Sequence, residues 1–240
     1  MEENNRKGPG VFYAVVGVAT LVVAIIGATF AYFSVAVEGN NNNTTITGTT
    51  GTGISLKLQV NKVTTEATGN LVPLDTMEPW YTLNTAQKSQ LNSALKNTTS
   101  CVDNAGSTVC QVYSITISGT EFAGTTLNAL GSLTLESGAT NMKWKVLTDA
   151  TTDNEANAAV AKGTAGYING PNGVALSNSK KTETYYVAVW LEETNSDQSA
   201  TATDETNKDF TGTVTFSAVD ASGKTTNLTA TFATSGTTTD

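Results

Sequence analysis

The sequence has no histidine and only two cysteines. That excludes Ser-His-Asp and Cys-His nucleophilic sites and every common zinc site, which need an imidazole or several thiolates. Any catalyst built from this chain has only carboxylates, lysine and tyrosine to work with, and no cofactor site is expected. Charge is scarce too. Asp, Glu, Lys and Arg make up 14% of residues, well under the quarter or so of ordinary soluble domains, and Thr, Ser, Asn and Gly take their place. Uncharged polar residues suit strands with wet outer faces. Basic residues are the scarcer sign, 13 against 21 acidic, leaving a net charge of -8. A nucleic-acid partner needs clustered Lys and Arg to release counterions, so none is expected.

Long apolar runs are missing everywhere except near the start. Residues 11–33 carry no charge and are rich in Val, Ala, Ile and Phe, with Arg6 and Lys7 before them and no charge after them until Glu38. A run of 23 residues suits a transmembrane helix of about 20 better than a signal-peptide core of about 7 to 15. Thr29-Phe30-Ala31 nonetheless fits signal-peptidase cleavage at Ala31 or Tyr32, so cleavage and retention both stay open. With Arg6 and Lys7 held inside, the rest of the chain faces outward in either case. The membrane is then a partner at least until processing. Cys101 and Cys110 agree with an outside location. They bracket a turn-rich stretch (Asp103, Asn104, Gly106) that can bring the sulfurs together across a hairpin, and the bond would contribute about 2 to 3 kcal/mol.

Downstream, apolar and polar residues alternate with period two, the mark of strands with one buried face. Ala31, Phe33, Val35 and Val37 share a face, as do Ile54, Leu56, Leu58 and Val60. Further strands are expected around residues 109–118 with Tyr113, Ile115 and Ile117 inward, 127–135, and 142–147 with Trp144 and Val146 inward. In residues 185–191 both parities are apolar, which predicts a central strand covered on both faces. Phe210, Val214, Phe216 and Ala218 form one inward row, and Leu228, Ala230 and Phe232 the next, joined by a hairpin at Asp220-Ala221-Ser222-Gly223. One helix is expected over residues 85–96, with Leu91, Ala94 and Leu95 on one side and Asn84 as cap, plugging an end of the sandwich. Residues 40–52 and 192–209 read as linkers. The fold class is therefore all-β: a jelly-roll-like two-sheet sandwich with one short helix, preceded by an N-terminal hydrophobic helix. Residues 1–31 are the signal peptide or transmembrane segment, 32–53 a donor-type strand and linker, and 54–240 the sandwich domain.

Ala28, Thr29, Phe30 and Ala31 close the leader, Phe33 opens the exported chain, and a Gly-Thr step leads into the alternating strand from Ile54 to Val60. In this first quarter the sequence resembles the TasA and camelysin family of extracellular matrix proteins of Gram-positive bacteria. The likeness is weak beyond about residue 60, where YYVAVWLEE and FTGTVTFSA carry it. The resemblance implies a jelly-roll domain, processing by a dedicated signal peptidase, and fibre assembly by donation of the N-terminal strand (Phe33, Val35, Val37) to the next subunit. The peptidase role described for camelysin does not carry over, because no His-based zinc motif exists here.

Other motifs favour plain readings. Residues 48–53 are Gly-rich but lack a Gly-Lys-Ser/Thr ending. Asp149, Asp153 and Glu155, and Asp197, Asp204, Glu205 and Asp209, lack calcium-loop spacing. Glu192 and Glu193 are adjacent on a strand and point to opposite faces, so they cannot flank one glycosidic bond. Trp80, Tyr81, Trp144 and Trp190 could form a carbohydrate platform, but inward aromatics are more often core. The functional expectation is a secreted or surface-held bacterial structural subunit, not an enzyme, that self-associates into fibres. The alternatives are a membrane-anchored surface binding module and a type IV pilin-like subunit, the latter suggested by Arg6-Lys7-Gly8.

Overall fold

Period-two alternation becomes two facing sheets in the computed structural model, which describes residues 36–37, 43–50, 53–65, 71–74, 85–102, 106, 108–148, 159–194 and 209–233. The expected leader helix, Asn84 and most of the acidic stretch at 192–209 lie outside the described residues. No helix among the described residues is long and apolar enough to cross a membrane.

The elements are β1 (Ala36–Val37), β2 (Asn43–Thr49), β3 (Ser55–Lys62), α1 (Thr85–Asn97), β4 (Cys110–Thr120), β5 (Leu127–Leu135), β6 (Met142–Val146), β7 (Val160–Ala161), β8 (Gly166–Tyr167), β9 (Val174–Leu176), β10 (Thr182–Leu191), β11 (Thr211–Val219) and β12 (Thr225–Ala233). One sheet runs β1-β12-β11-β5-β8, with β9 also on β5; the other runs β2-β3-β4-β10-β6-β7. Every pairing between these strands is antiparallel except that of β1 with β12, and the isolated bridge of Leu74 with Glu192 is parallel too.

The predicted inward rows meet in one core. Leu56, Leu58, Ile115, Ile117, Val187 and Val189 of one sheet are fully buried, as are Leu133, Val214 and Phe216 of the other. Tyr113 bridges the layers, with its ring centroid 4.3 Å from that of Phe232 and 6.4 Å from that of Phe210. Two glycines make room for these rings: a Cβ on Gly131 would lie 2.6 Å from the Phe216 ring, and one on Gly212 2.4 Å from the Phe232 ring. Each pair is also a cross-strand partner pair, so the aromatic ring covers the strand where the glycine supplies no side chain.

The central strand was legible. β10 lies between β4 and β6, and its two faces enter different cores. Val187, Val189 and Leu191 face the main core, while Ala188 and Trp190 join Cys110, Val112 and Leu147 in a second cluster on the outer face. That cluster corrects the expected role of the helix. Leu91 and Leu95 of α1 pack on it, so α1 covers a face of the sandwich instead of plugging an end. Ala94 is exposed and Asn92 is buried, its Nδ2 donating to the Thr148 carbonyl at 2.7 Å. A polar contact, invisible to an apolar count, sets the helix rotation.

A second correction concerns residues 40–52, read as linker. Residues 43–49 form β2, paired along its length with β3. Ile46 is the one large apolar residue in that stretch, and the strand rests on β-branched threonines, Gly48 and the neighbouring β3 instead. The Asp220 hairpin formed as expected. Asp220 Oδ1 accepts bonds from the Ser222 and Lys224 amides at 2.9 and 3.1 Å, and Gly223 takes the left-handed conformation at φ 80°.

On the far edge of β5, β9 pairs with Leu127 to Ala129 and β8 with Ser132 and Leu133. Asn169 fills the gap between them. Its Oδ1 accepts the Gly131 amide and its Nδ2 donates to the Ala129 carbonyl, both at 2.9 Å, as a peptide group would. Asn169→Leu removes both bonds and is expected to cost about 1 to 3 kcal/mol, read as a lower urea midpoint with unchanged slope.

Candidate functional site

Functional weight in the sequence falls on the N-terminal ribbon. Ala31, Tyr32, Phe33 and Val35 lie outside the described residues, and Val37 sits in β1. That strand pairs in parallel with β12 at two positions, Ala36 with Thr229 and Val37 with Ala230. On its other side, β12 is paired along its full length with β11. Near β1, β2 crosses from the second sheet. Thr44 Oγ1 donates to the Thr231 carbonyl at 3.2 Å, and Gly48 lets Leu228 approach to 2.7 Å of where a Cβ would stand. The side of β12 away from β11 thus carries β1 at its two described positions, with β2 crossing beside it.

Cys101 and Cys110 form a disulfide with Cα atoms 5.3 Å apart. A short hairpin brings them together, with Val102 bridging Thr108 and the Val109 amide donating to the Cys101 carbonyl at 3.0 Å. Both residues are buried in the second cluster, so the bond ties the chain leaving α1 to the first residue of β4. A disulfide is compatible with an oxidising compartment outside the cell.

The remaining candidates are scattered. Trp144 and Trp190 are 1% and 2% exposed, which leaves no ring face for a sugar; Trp80 and Tyr81 lie outside the described residues. Glu192 pairs with Lys143 at the surface. Asp149, Asp153, Glu155, Asp197, Asp204 and Glu205 fall outside the described residues, and Asp209 is exposed. Among the described residues, no three Cys, Asp or Glu side chains converge on a point.

Two features escaped the sequence reading. The first is two buried lysines, one of them opposite Tyr113, which the alternation had placed inward. Lys62 continues the inward row of Leu56, Leu58 and Val60 and is buried; burial lowers its pKa. Following the alternation one step past Val60 finds it. It lies opposite Tyr113 in the ladder. The Tyr113 hydroxyl donates to Gln111 Oε1 at 2.7 Å, with the Ala233 carbonyl oxygen 3.0 Å away, and burial raises its pKa steeply. Lys145 is buried on the outer face of β6. Its strand alone gives no hint of this, because the second cluster that covers it is built by distant segments.

The second feature is a cleft of about 550 Å³ bordered by Val146, Thr148, Ile168, Asn169, Tyr185 and Tyr186, with Lys96 at its margin. Tyr185 faces the main core and stacks near Phe216, with centroids 6.3 Å apart. Its pKa is raised by burial, opposed by the hydrogen bond with Asn169 and reinforced by the charge of Glu183. Tyr186 packs on the second cluster. The cleft therefore wraps the edge of β10 and touches both of its faces.

Compared with known proteins, the chain matches no family model and no curated protein. What the geometry offers chemically is strand edges and the pockets beside them.

Proposed function

We propose that this protein is a non-enzymatic structural subunit of a bacterial cell exterior. Its jelly-roll-type sandwich is exported behind the hydrophobic leader and assembles into fibres of an extracellular matrix through the ribbon around Phe33, Val35 and Val37. The resemblance of that ribbon and its leader to the TasA and camelysin family motivates the reading. The observation that carries it is β1, which at its described positions lies parallel to β12 and is added to the outside of that strand, at the edge of the sheet. A strand at the outer edge of its sheet is well placed to serve a neighbour, and β-augmentation supplies both backbone pairing and side-chain burial.

The energetics favour the same conclusion. Burying Phe33, Val35 and Val37 in a neighbour is worth about 1.5 to 3 kcal/mol per side chain before the costs of ordering and association. The disulfide is compatible with export, and the low charge of the chain suits polar strand faces that stack without strong repulsion.

The test uses exported protein. Phe33→Asp together with Val35→Asp is expected to leave a folded monomer and remove polymers, as read by sedimentation velocity and negative-stain electron microscopy. Polymers of unchanged length and yield in that variant exclude the ribbon as the contact. N-terminal sequencing of the same material separates the readings: a start near Tyr32 supports the fibre subunit, an intact Met1 the membrane-anchored module.

A further inference from the structure

We infer that the Cys101–Cys110 disulfide is a redox latch: formed, it seats α1 on the outer face of the sheet, and reduced by a thiol it releases α1 while the sandwich stays folded. On the outer faces of β4 and β10 the side chains line up in rows. Ser118 lies opposite Thr182, Thr116 opposite Thr184 and Ser114 opposite Tyr186; then the chemistry changes, with Val112 opposite Ala188 and Cys110 opposite Trp190. The polar rows are at least partly exposed, whereas Val112, Ala188, Cys110 and Trp190 are at most 2% exposed. An apolar patch on the outside of a sandwich needs a cover. Leu91 and Leu95 of α1 supply part of it, together with Leu74, Val109 and Cys101.

The disulfide stands at the seam between patch and cover. Cys110 belongs to the sheet and faces Trp190 across the strand pair, and Cys101 follows closely on Asn97, the last residue of α1. With the bond formed, the end of α1 cannot move beyond about 14 Å of extended chain from the patch; without it, the covalent path to Cys110 is roughly threefold longer. A helix of this length is marginal alone in water, and α1 has no acidic residue in its first turn to stabilise it. It depends on its seat. The main core does not share this dependence: among the described residues, none of its members comes from α1 or from the disulfide hairpin. Releasing α1 therefore leaves the two sheets packed on each other.

Opening is thiol–disulfide exchange. Cys101 is 8% exposed against 0% for Cys110, so a dithiol reductant attacks the sulfur of Cys101, and Cys110 leaves as a thiolate and takes up a proton. The second thiol of the reductant then frees Cys101, and the reductant departs as a disulfide. Closing is the reverse, with two electrons and two protons passing to an oxidised dithiol. The hairpin stem, where Val102 bridges Thr108 and the Val109 amide bonds the Cys101 carbonyl, keeps the two thiols facing each other for that step. Val102 is 45% exposed, so the stem by itself frays where the covalent bond does not. The cap is thus open in a reducing compartment and takes its seat where the chain meets an oxidant.

Amide hydrogen exchange tests the latch on purified protein, first oxidised and then treated with dithiothreitol, with alkylation and intact mass counting the free thiols. Reduction is expected to speed exchange in α1 about tenfold and to leave β11 and β12 unchanged, and reoxidation with oxidised glutathione is expected to restore the starting pattern. Cys101→Ser combined with Cys110→Ser is expected to match the reduced protein with or without the reductant. If that variant does not fold, reversible reduction of the wild type decides. Unchanged protection of α1 in protein whose two thiols are alkylated overturns the latch. So does exchange that rises equally in β11 and β12, or a bond that resists the reductant until the sandwich itself unfolds.

Discussion

Trp190→Ala is expected to lower the unfolding free energy by about 3 to 5 kcal/mol, the usual cost of emptying a packed aromatic site. The loss arises in the second cluster, not the main core. Trp190 fills the space between the outer face of β10 and the cover made by α1, Leu74 and the disulfide hairpin. Truncating it removes the surface on which Leu91 and Leu95 rest, so α1 loses its seat along with the buried area. Chemical denaturation reads the total. Amide hydrogen exchange localises it: protection in α1 is expected to fall further than in β11 and β12, whose contacts lie in the main core. Uniform loss across all elements would place α1 in the same cooperative unit as the sandwich.

The second large effect is alkaline. Tyr113 is buried and its pKa is raised, so above the ordinary tyrosine value of about 10 the unfolded chain gives up a proton that the folded chain keeps. Stability is intact below that pH and falls above it, by about 1.4 kcal/mol per pH unit for one such group. Tyr185, also raised, acts in the same direction. Lys62 acts in the opposite direction. Its pKa is lowered, so the folded chain releases that proton first, and stability rises with pH through the window just below the ordinary lysine value. Urea midpoints from pH 8 to 12 are expected to hold or rise slightly and then drop. Tyr113→Phe gives up its bond to Gln111, at a cost of about 1 kcal/mol near neutrality, and flattens the drop. A drop of undiminished steepness in that variant would assign it to other groups.

Much of the fold could be read directly. Where one face of a strand is buried and the other wet, as in Ser55–Lys62 or Thr211–Val219, alternation states the burial residue by residue. Apolar residues at both parities in residues 185–191 likewise revealed a doubly covered strand. Three things were not legible for physical reasons. β2 has almost no apolar signal because its pairing with β3 does the work. The short strands β7, β8 and β9 take their form from neighbours, with Asn169 standing in for backbone. The cleft beside β10 is lined by residues 96, 146–148, 168–170 and 184–186, segments far apart in the chain, so none of them encodes it alone. The disulfide was recoverable from the spacing of two cysteines around a turn.

The parallel pairing of β1 with β12 bears on how the molecule carries force. If tension enters through the residues before β1 and leaves through those after β12, the two strands are drawn lengthwise past each other, and the pairings between them are strained together instead of peeling open one bond at a time. β12 is itself anchored along its whole length to β11, so a pull on β1 passes through β12 into the sheet behind it. Load applied this way enters the sandwich in shear, the direction in which neighbouring backbone pairings share it.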